Sequence, residues 1–243
     1  SILTIKRFSG GGTVVLDPSS LWTTFIGRKD HFPHVDPYPR NIMKWSASDV
    51  FDLVFQRMKH DALMRYNKNS GGVSGNDHDH DDDDDGSSGK KMILPDFKLR
   101  ENDYVLGERK MGGNAQTITG NGWLHHTSFL WNYDQDNMSY LTLPSKRPDY
   151  RGDRSHDEFL VKLESVYGNR NDNGSNGDGD GDVATVLGSM SKEVFFHHVK
   201  SSCQESFDLE EASLKDAMKV VNDELGGMQA WFDGKCRTRI IEL

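Results

Sequence analysis

Lys110, Arg7 and the pair His125-His126 stand in settings where side-chain chemistry, and not only solubility, is at stake. Lys110 lies in Gly107-Glu108-Arg109-Lys110-Met111-Gly112-Gly113-Asn114-Ala115-Gln116, beside a double glycine. An ammonium fixed there, and not merely solvated, would act on negative charge brought close to it. Its action would be electrostatic and not nucleophilic. Arg7 opens the run Arg7-Phe8-Ser9-Gly10-Gly11-Gly12-Thr13-Val14-Val15. A guanidinium grips phosphate through two charge-assisted bonds. Three consecutive glycines make a poor strand or helix interior, yet they let successive backbone N–H groups close around an anion. Each feature has a plainer reading when taken alone: a solvated surface lysine and a flexible hairpin tip.

Two common phosphate loops are excluded. No Gly-Lys-Ser/Thr occurs, and Val15 stands where a dinucleotide-binding turn has its third glycine. Asn102-Asp103 stands just before the strand candidate that leads to Lys110. An Asx turn opening that strand is the plain reading of Asn102. His125 and His126 are neighbours in a strand candidate, so they point to opposite faces and do not easily share one metal. The tract His78-Asp79-His80-Asp81 with the aspartates after it reads as a solvated acidic run and not as a metal site. Asp178-Gly179-Asp180-Gly181-Asp182 is close to a calcium loop, but Val183 replaces the required glycine and Ser189 the glutamate.

The elements that must position these residues are a mixture. Ile2–Ile5 is a short strand candidate entering the glycine turn, and Thr13–Leu16 reads as the strand that follows. Asp17-Pro18-Ser19-Ser20 is a turn, and Leu21–Ile26 resumes as a strand, so a hairpin is predicted. Gly27–Arg40 holds Pro33, Pro37 and Pro39 and is loop. Ser46 or Ser48 is placed to cap a helix running to about Tyr66, with Val50, Leu53, Val54, Met58, Ala62 and Leu63 near helical spacing. Tyr104–Leu106 and Trp123–Trp131 are strand candidates, and Asp134–Tyr140 a helical turn. Ser155–Tyr167 is predicted as helix, with Asp157 and Glu158 in its first turn where the dipole favours acids. Lys192–Ser201 and Glu210–Leu225 are further helices, and Cys236–Leu243 a final strand. Strands and helices alternate without a strict rhythm, so the expected class is α+β: a mixed, largely antiparallel sheet flanked by helices.

With 243 residues the chain suits a single domain with a sizeable core, read here as 1–243. Polar inserts at about 67–91 and 168–183 interrupt it and are expected to be disordered. They also carry the charge. Ser74–Gly89 contributes −7 and Asn169–Asp182 −3, which leaves a formal +1 for the rest of a chain whose total is −9. That balance argues against nucleic acid as a partner. No apolar run is long enough to span a bilayer, so no membrane partner is expected. Cys203 and Cys236 make no disulfide framework, which favours a reducing compartment. The chain opens on Ser1 inside a strand candidate, so it is expected to be N-terminally incomplete, with any targeting segment upstream.

The Arg7–Val15 run together with Arg100–Leu130 resembles the two signature segments of the lipoate–protein ligase A family. The likeness covers about Ile2 to Asp149, apart from the inserts. It implies the catalytic-domain fold of the biotin/lipoate ligases and a two-step activity. Lipoate is activated with ATP to lipoyl-AMP, and the lipoyl group then passes to a lysine of a carrier domain. By residue, the resemblance implies that Arg7, Ser9, Gly10, Gly11, Gly12, Thr13, Val14 and Val15 hold the nucleotide. Lys110 is the catalytic cation that meets both the lipoate carboxyl and the α-phosphate, Asn114 and His126 line the site, and Asp103 holds Mg²⁺. Implied partners are lipoyl carrier domains of 2-oxoacid dehydrogenase E2 subunits or the glycine cleavage H protein. The implied compartment is the mitochondrion, with cytoplasm or plastid as alternatives. The chain departs from the family where Gln116-Thr117 replaces the Tyr-Arg of some bacterial members. It departs again after Leu141, where Arg147, Arg151 and Arg154 carry charge at other positions. Two alternatives compete. One is octanoyl or lipoyl transfer without ATP, for which Trp123 stands where one class has its cysteine nucleophile. The other is a pseudoenzyme that binds carrier or nucleotide without turnover.

Overall fold

The computed structural model describes residues 3–70, 92–141, 147–168, 190–234 and 236–241. The polar inserts lie outside these except at their edges, as do His78–Asp81 and Asp178–Asp182. Strand β1 (Thr4–Lys6) pairs with β7 (Arg239–Ile241) in a two-stranded ribbon. The main sheet is built from β2 (Ser20–Arg28), β3 (Phe97–Arg100), β4 (Asp103–Leu106), β5 (Arg109–Ile118) and β6 (Gly122–Leu130). Its order is β2-β6-β5-β4-β3, and every pairing is antiparallel.

One face of this sheet is covered by helix. α1 (Pro39–Trp45) passes through a π-type stretch, Ser46–Phe51, into α2 (Asp52–Ser70), and α6 (Lys192–Cys203) lies beside α2. On β6 the odd-numbered residues Trp123, His125, Thr127 and Phe129 are buried against these helices. Phe129 stands 4.9 Å from Phe51 and 5.1 Å from Phe195, centroid to centroid. Each such ring contributes about 1.5–3 kcal/mol by leaving water. The even-numbered Leu124, His126 and Ser128 face the other way and are half-buried. On that second, open face His126 stands between its cross-strand neighbours Thr24 and Ala115. Among the described residues no helix is long and apolar enough to cross a membrane.

The α+β class and the antiparallel sheet agree with the sequence reading, and several local expectations need correction. Thr13–Leu16 is irregular and forms no hairpin with β2, which pairs with β6, while β1 pairs with β7 at the far end of the chain. The first long helix does not start at Ser46 or Ser48. It begins at Pro39, where proline suits the first turn, and it continues to Ser70. Ser155–Tyr167 is two short helices, α4 (His156–Phe159) and α5 (Leu163–Tyr167). The residues between them are drawn straight because Val161 N–H donates to the Lys110 carbonyl at 2.9 Å. β5 was not anticipated as a strand, since Gly112-Gly113 argues against one. Glycine leaves room there for a close approach, since a Cβ on Gly112 would lie 3.1 Å from Phe129 Cδ1 and the ring would have to give way. The C-terminal helices are α7 (Leu214–Leu225), opened by a Ser213 capping box, and α8 (Met228–Gly234).

Candidate functional site

The two sequence signatures meet on the open face. Gly10 N–H donates to the Gln116 carbonyl at 3.1 Å, so the glycine turn lies along β5. Gly11 has φ +125°, and a Cβ there would come within 2.7 Å of Arg7 Nη2, 3.2 Å of Ala115 Cβ and 3.4 Å of Asn114 O. Only glycine settles comfortably in that conformation and that space. Arg7 Nη2 donates to the Gly12 carbonyl at 2.7 Å, which folds the turn around its own guanidinium. Arg7 Nε and Ser9 Oγ are buried without a hydrogen-bond partner.

His126 lies on the same face, paired across the sheet with Ala115 on one side and Thr24 on the other. Its Nδ1 is 2.8 Å from Thr24 Oγ1, and its ring stands 5.8 Å from that of Trp22. Burial lowers its pKa from the ordinary value, and the nearby positive charge of Arg7 adds to this. With the imidazole neutral, the positive charge of this corner is carried by the Arg7 guanidinium.

Lys110 enters this face from the other end of β5. Met111 is bulged between the β4 and β5 registers, so Lys110 sits opposite Val105 and Gly113 opposite Asp103. The Lys110 ammonium lies over Gly113, 3.7 Å from where a Cβ would be. It forms an ion pair with Asp103 Oδ1 at 2.7 Å, both side chains being largely shielded from water. The other oxygen, Asp103 Oδ2, accepts from the Tyr150 hydroxyl at 2.9 Å. Burial, then the Asp103 charge, raises the Tyr150 pKa, so the phenol stays a donor. Tyr150 is held in turn by Glu101, whose carboxylate accepts from the N–H groups of Asp149 and Tyr150. Glu101 itself has φ +52°, a left-handed conformation uncommon outside glycine.

Of the residues singled out from sequence, Arg7, Ser9, Gly10, Gly11, Gly12 and His126 cluster against β5, with Lys110 and Asp103 further along the same face. Thr13, Val14 and Val15 continue the turn as irregular, largely exposed chain. Asn114 contributes its carbonyl beside Gly11, while its side chain turns to the helix side. There Oδ1 accepts from Thr127 at 2.9 Å and Nδ2 donates to the Asn102 carbonyl at 3.1 Å. Arg109 is exposed. Sequence reasoning missed Trp22, Thr24 and Tyr150. The first two share a face with His126 only once the β2–β6 register is known, and nothing local marks Tyr150. Asp103 could offer Mg²⁺ a single carboxylate, of the kind that ion takes alongside substrate phosphates, only if Lys110 left its oxygen. Among the described residues no group of three or more His, Cys, Asp or Glu could hold a metal. Trp123 is core, and Cys203 lies on α6, on the helix side, with burial raising its pKa.

The chain belongs to the lipoyl protein ligase A/B catalytic domain family, whose model matches residues 1–173. Among named relatives it is 31% identical over 172 residues to a Plasmodium falciparum protein called "Inactive lipoate--protein ligase 2". The match covers 65% of this chain, and the chain spans 40% of that relative's length. Among solved structures, a bipartite lipoate protein ligase with its E2 lipoyl domain from Thermoplasma acidophilum aligns with TM-score 0.44 and 16% identity, over 97% of this chain and 72% of that one. The P. falciparum protein LipL1 in complex with lipoate aligns with TM-score 0.44 and 13% identity, over 90% of this chain and 46% of that one.

Proposed function

We propose that this chain carries the adenylating site of a lipoate–protein ligase, which converts lipoate and ATP to lipoyl-AMP and passes the lipoyl group to a carrier lysine. One observation carries the reading. The glycine turn with Arg7, the imidazole of His126 and the ammonium of Lys110 all lie on one face of one sheet, on β5, on β6 beside it, and on the turn docked to β5. In this reading Arg7 and the Gly12–Val15 backbone hold the nucleotide. Lys110 leaves Asp103 for the approaching carboxylate and phosphate and cancels their repulsion. Asp103 would hold a nucleotide-bound Mg²⁺, which neutralises phosphate charge. His126, neutral, would line the acyl side. The proposed acceptors are lipoyl carrier domains of 2-oxoacid dehydrogenase E2 subunits or the glycine cleavage H protein, and the proposed compartment is the mitochondrion. Lipoate-dependent exchange of labelled pyrophosphate into ATP tests the adenylation step. Exchange that needs lipoate supports it, and its absence contradicts it.

A second reading is a binding module without turnover. The Lys110–Asp103 ion pair favours it, because a lysine already neutralised is less available to an incoming anion. The name of the P. falciparum relative points the same way. Calorimetric binding of ATP or lipoate with no exchange would select this reading. For transfer without ATP through a thiol, Trp123 and Cys203 both lie on the helix side, and Cys236 stands before β7 with its thiol directed to the Thr238 carbonyl at 3.5 Å.

A further inference from the structure

Beneath the open face lies a set of polar side chains to which the reading above gives no task. His125 is fully buried. Its Nδ1 is 3.0 Å from Gln116 Nε2, and its Nε2 is 3.0 Å from Ser46 Oγ and 3.3 Å from Thr127 Oγ1. The Gln116 amide donates to Nδ1, which leaves the Nε2 proton for Ser46. Ser46 Oγ also lies 2.6 Å from the Tyr104 hydroxyl. Thr127 in turn donates to Asn114 at 2.9 Å. Burial holds the His125 pKa down, to about 4, so the ring is neutral.

The position of this set in the sheet gives it a use. β4 pairs with β5 only as far as Asp103 opposite Gly113. Beyond that point β5 is flanked by β6 alone. Asn114–Ile118 is that half-free stretch, and Gly10 docks within it, on a Gln116 carbonyl that β4 does not reach. A strand paired on one side opens more readily than one paired on both. Two ties grip it from the helix side, His125 to Gln116 and Thr127 to Asn114. Ser46, in the π-type stretch, anchors His125 to the helical layer.

We propose that His125 is a positioning residue: acting through Gln116, it clamps the stretch of β5 on which the glycine turn docks and so sets the posture of that turn for an anionic ligand. Only the ligand clause rests on the reading given above; the clamp itself does not. The test is site-resolved amide hydrogen exchange on the full chain. Gln116→Met keeps the shape of the side chain and cuts the tie, while His125→Phe cuts all of its arms. Gly10 N–H should exchange about tenfold faster in each, the scale of one lost hydrogen bond, with α2 amides unchanged in Gln116→Met. Met58→Ala, in the core under α2, is the control: it should lower Tm and leave Gly10 at its wild-type rate. An unchanged Gly10 rate in Gln116→Met, or an equal acceleration in Met58→Ala, overturns the proposal and makes His125 an ordinary core histidine. Calorimetric titration with ATP separates the two readings. About tenfold weaker binding in Gln116→Met supports the ligand clause. A wild-type chain that binds no ATP overturns the nucleotide reading and that clause, while the exchange result still decides the clamp.

Discussion

Gly11→Val should leave the domain folded and nearly abolish nucleotide binding. The magnitude follows from what surrounds Gly11. A Cβ would stand 2.7 Å from Arg7 Nη2, 3.2 Å from Ala115 Cβ and 3.4 Å from Asn114 O. Ala115 and Asn114 belong to a paired strand, so the turn must shift and not the strand. The φ of +125° adds strain of about 1–3 kcal/mol for any side chain. Displacing the guanidinium gives up the 2.7 Å bond from Arg7 to the Gly12 carbonyl, about 1 kcal/mol more. Together these amount to about 2–4 kcal/mol, or roughly 30-fold to nearly 1,000-fold in affinity if the ligand needs the native turn. Tm should change little, because the turn stands on the open face and not in the core. The assay is calorimetric titration with ATP. Gly120→Ala, where a Cβ meets nothing within 4 Å, should bind like the wild type. Equal affinity in Gly11→Val and wild type would refute the phosphate role of the turn.

Other outcomes follow from the same geometry. Lys110→Ala should reduce the rate of adenylate formation by about a hundred- to a thousand-fold, as for other preorganised charges at a reacting centre, and Lys110→Arg should not restore it. Arg109→Ala, being exposed, should have little effect in the same pyrophosphate assay; the reverse ranking would shift the motif by one residue. Asp103→Asn should weaken the dependence of ATP affinity on Mg²⁺, measured by titration with and without the ion; an undiminished dependence would remove Asp103 from that role. The depressed pKa of His125 makes stability fall with acid, since the unfolded chain takes up the proton first. The contribution is intact above pH 6.5 and is lost as pH falls towards about 4. Urea unfolding should show about 2 kcal/mol lost to this group by pH 5, and His125→Gln should lack that slope.

The signature residues stood out as two segments that resemble one family, although each has a plainer reading alone. Arg7, the three glycines, Lys110 and His126 were singled out from sequence, and they come to one face. The opposite facing of His125 and His126 followed from strand alternation alone. What was not legible depended on long-range pairing. The partner of β1 lies more than two hundred residues away, and the local hairpin predicted from Thr13–Leu16 and Leu21–Ile26 is absent because β2 pairs with the distant β6. Gly112-Gly113 hid β5, because glycine weakens a strand unless something must approach closely, and here that is the Phe129 ring. Ser46 read as a helix cap from its residue type. It is instead buried within the helical run, bonding back to the Ile42 carbonyl at 3.0 Å and across to His125 and Tyr104. The Asp103–Lys110–Tyr150 constellation combines two motif residues with one that no local pattern marks.

The central claim is that the open face activates lipoate and delivers it to a carrier lysine. The most direct measurement is the mass of a lipoyl carrier domain after incubation with this chain and lipoate, with and without ATP. The expected result is a gain of one lipoyl group that requires ATP and disappears in Lys110→Ala. No gain with ATP, while ATP and lipoate still bind, would contradict it and leave the chain a binding module.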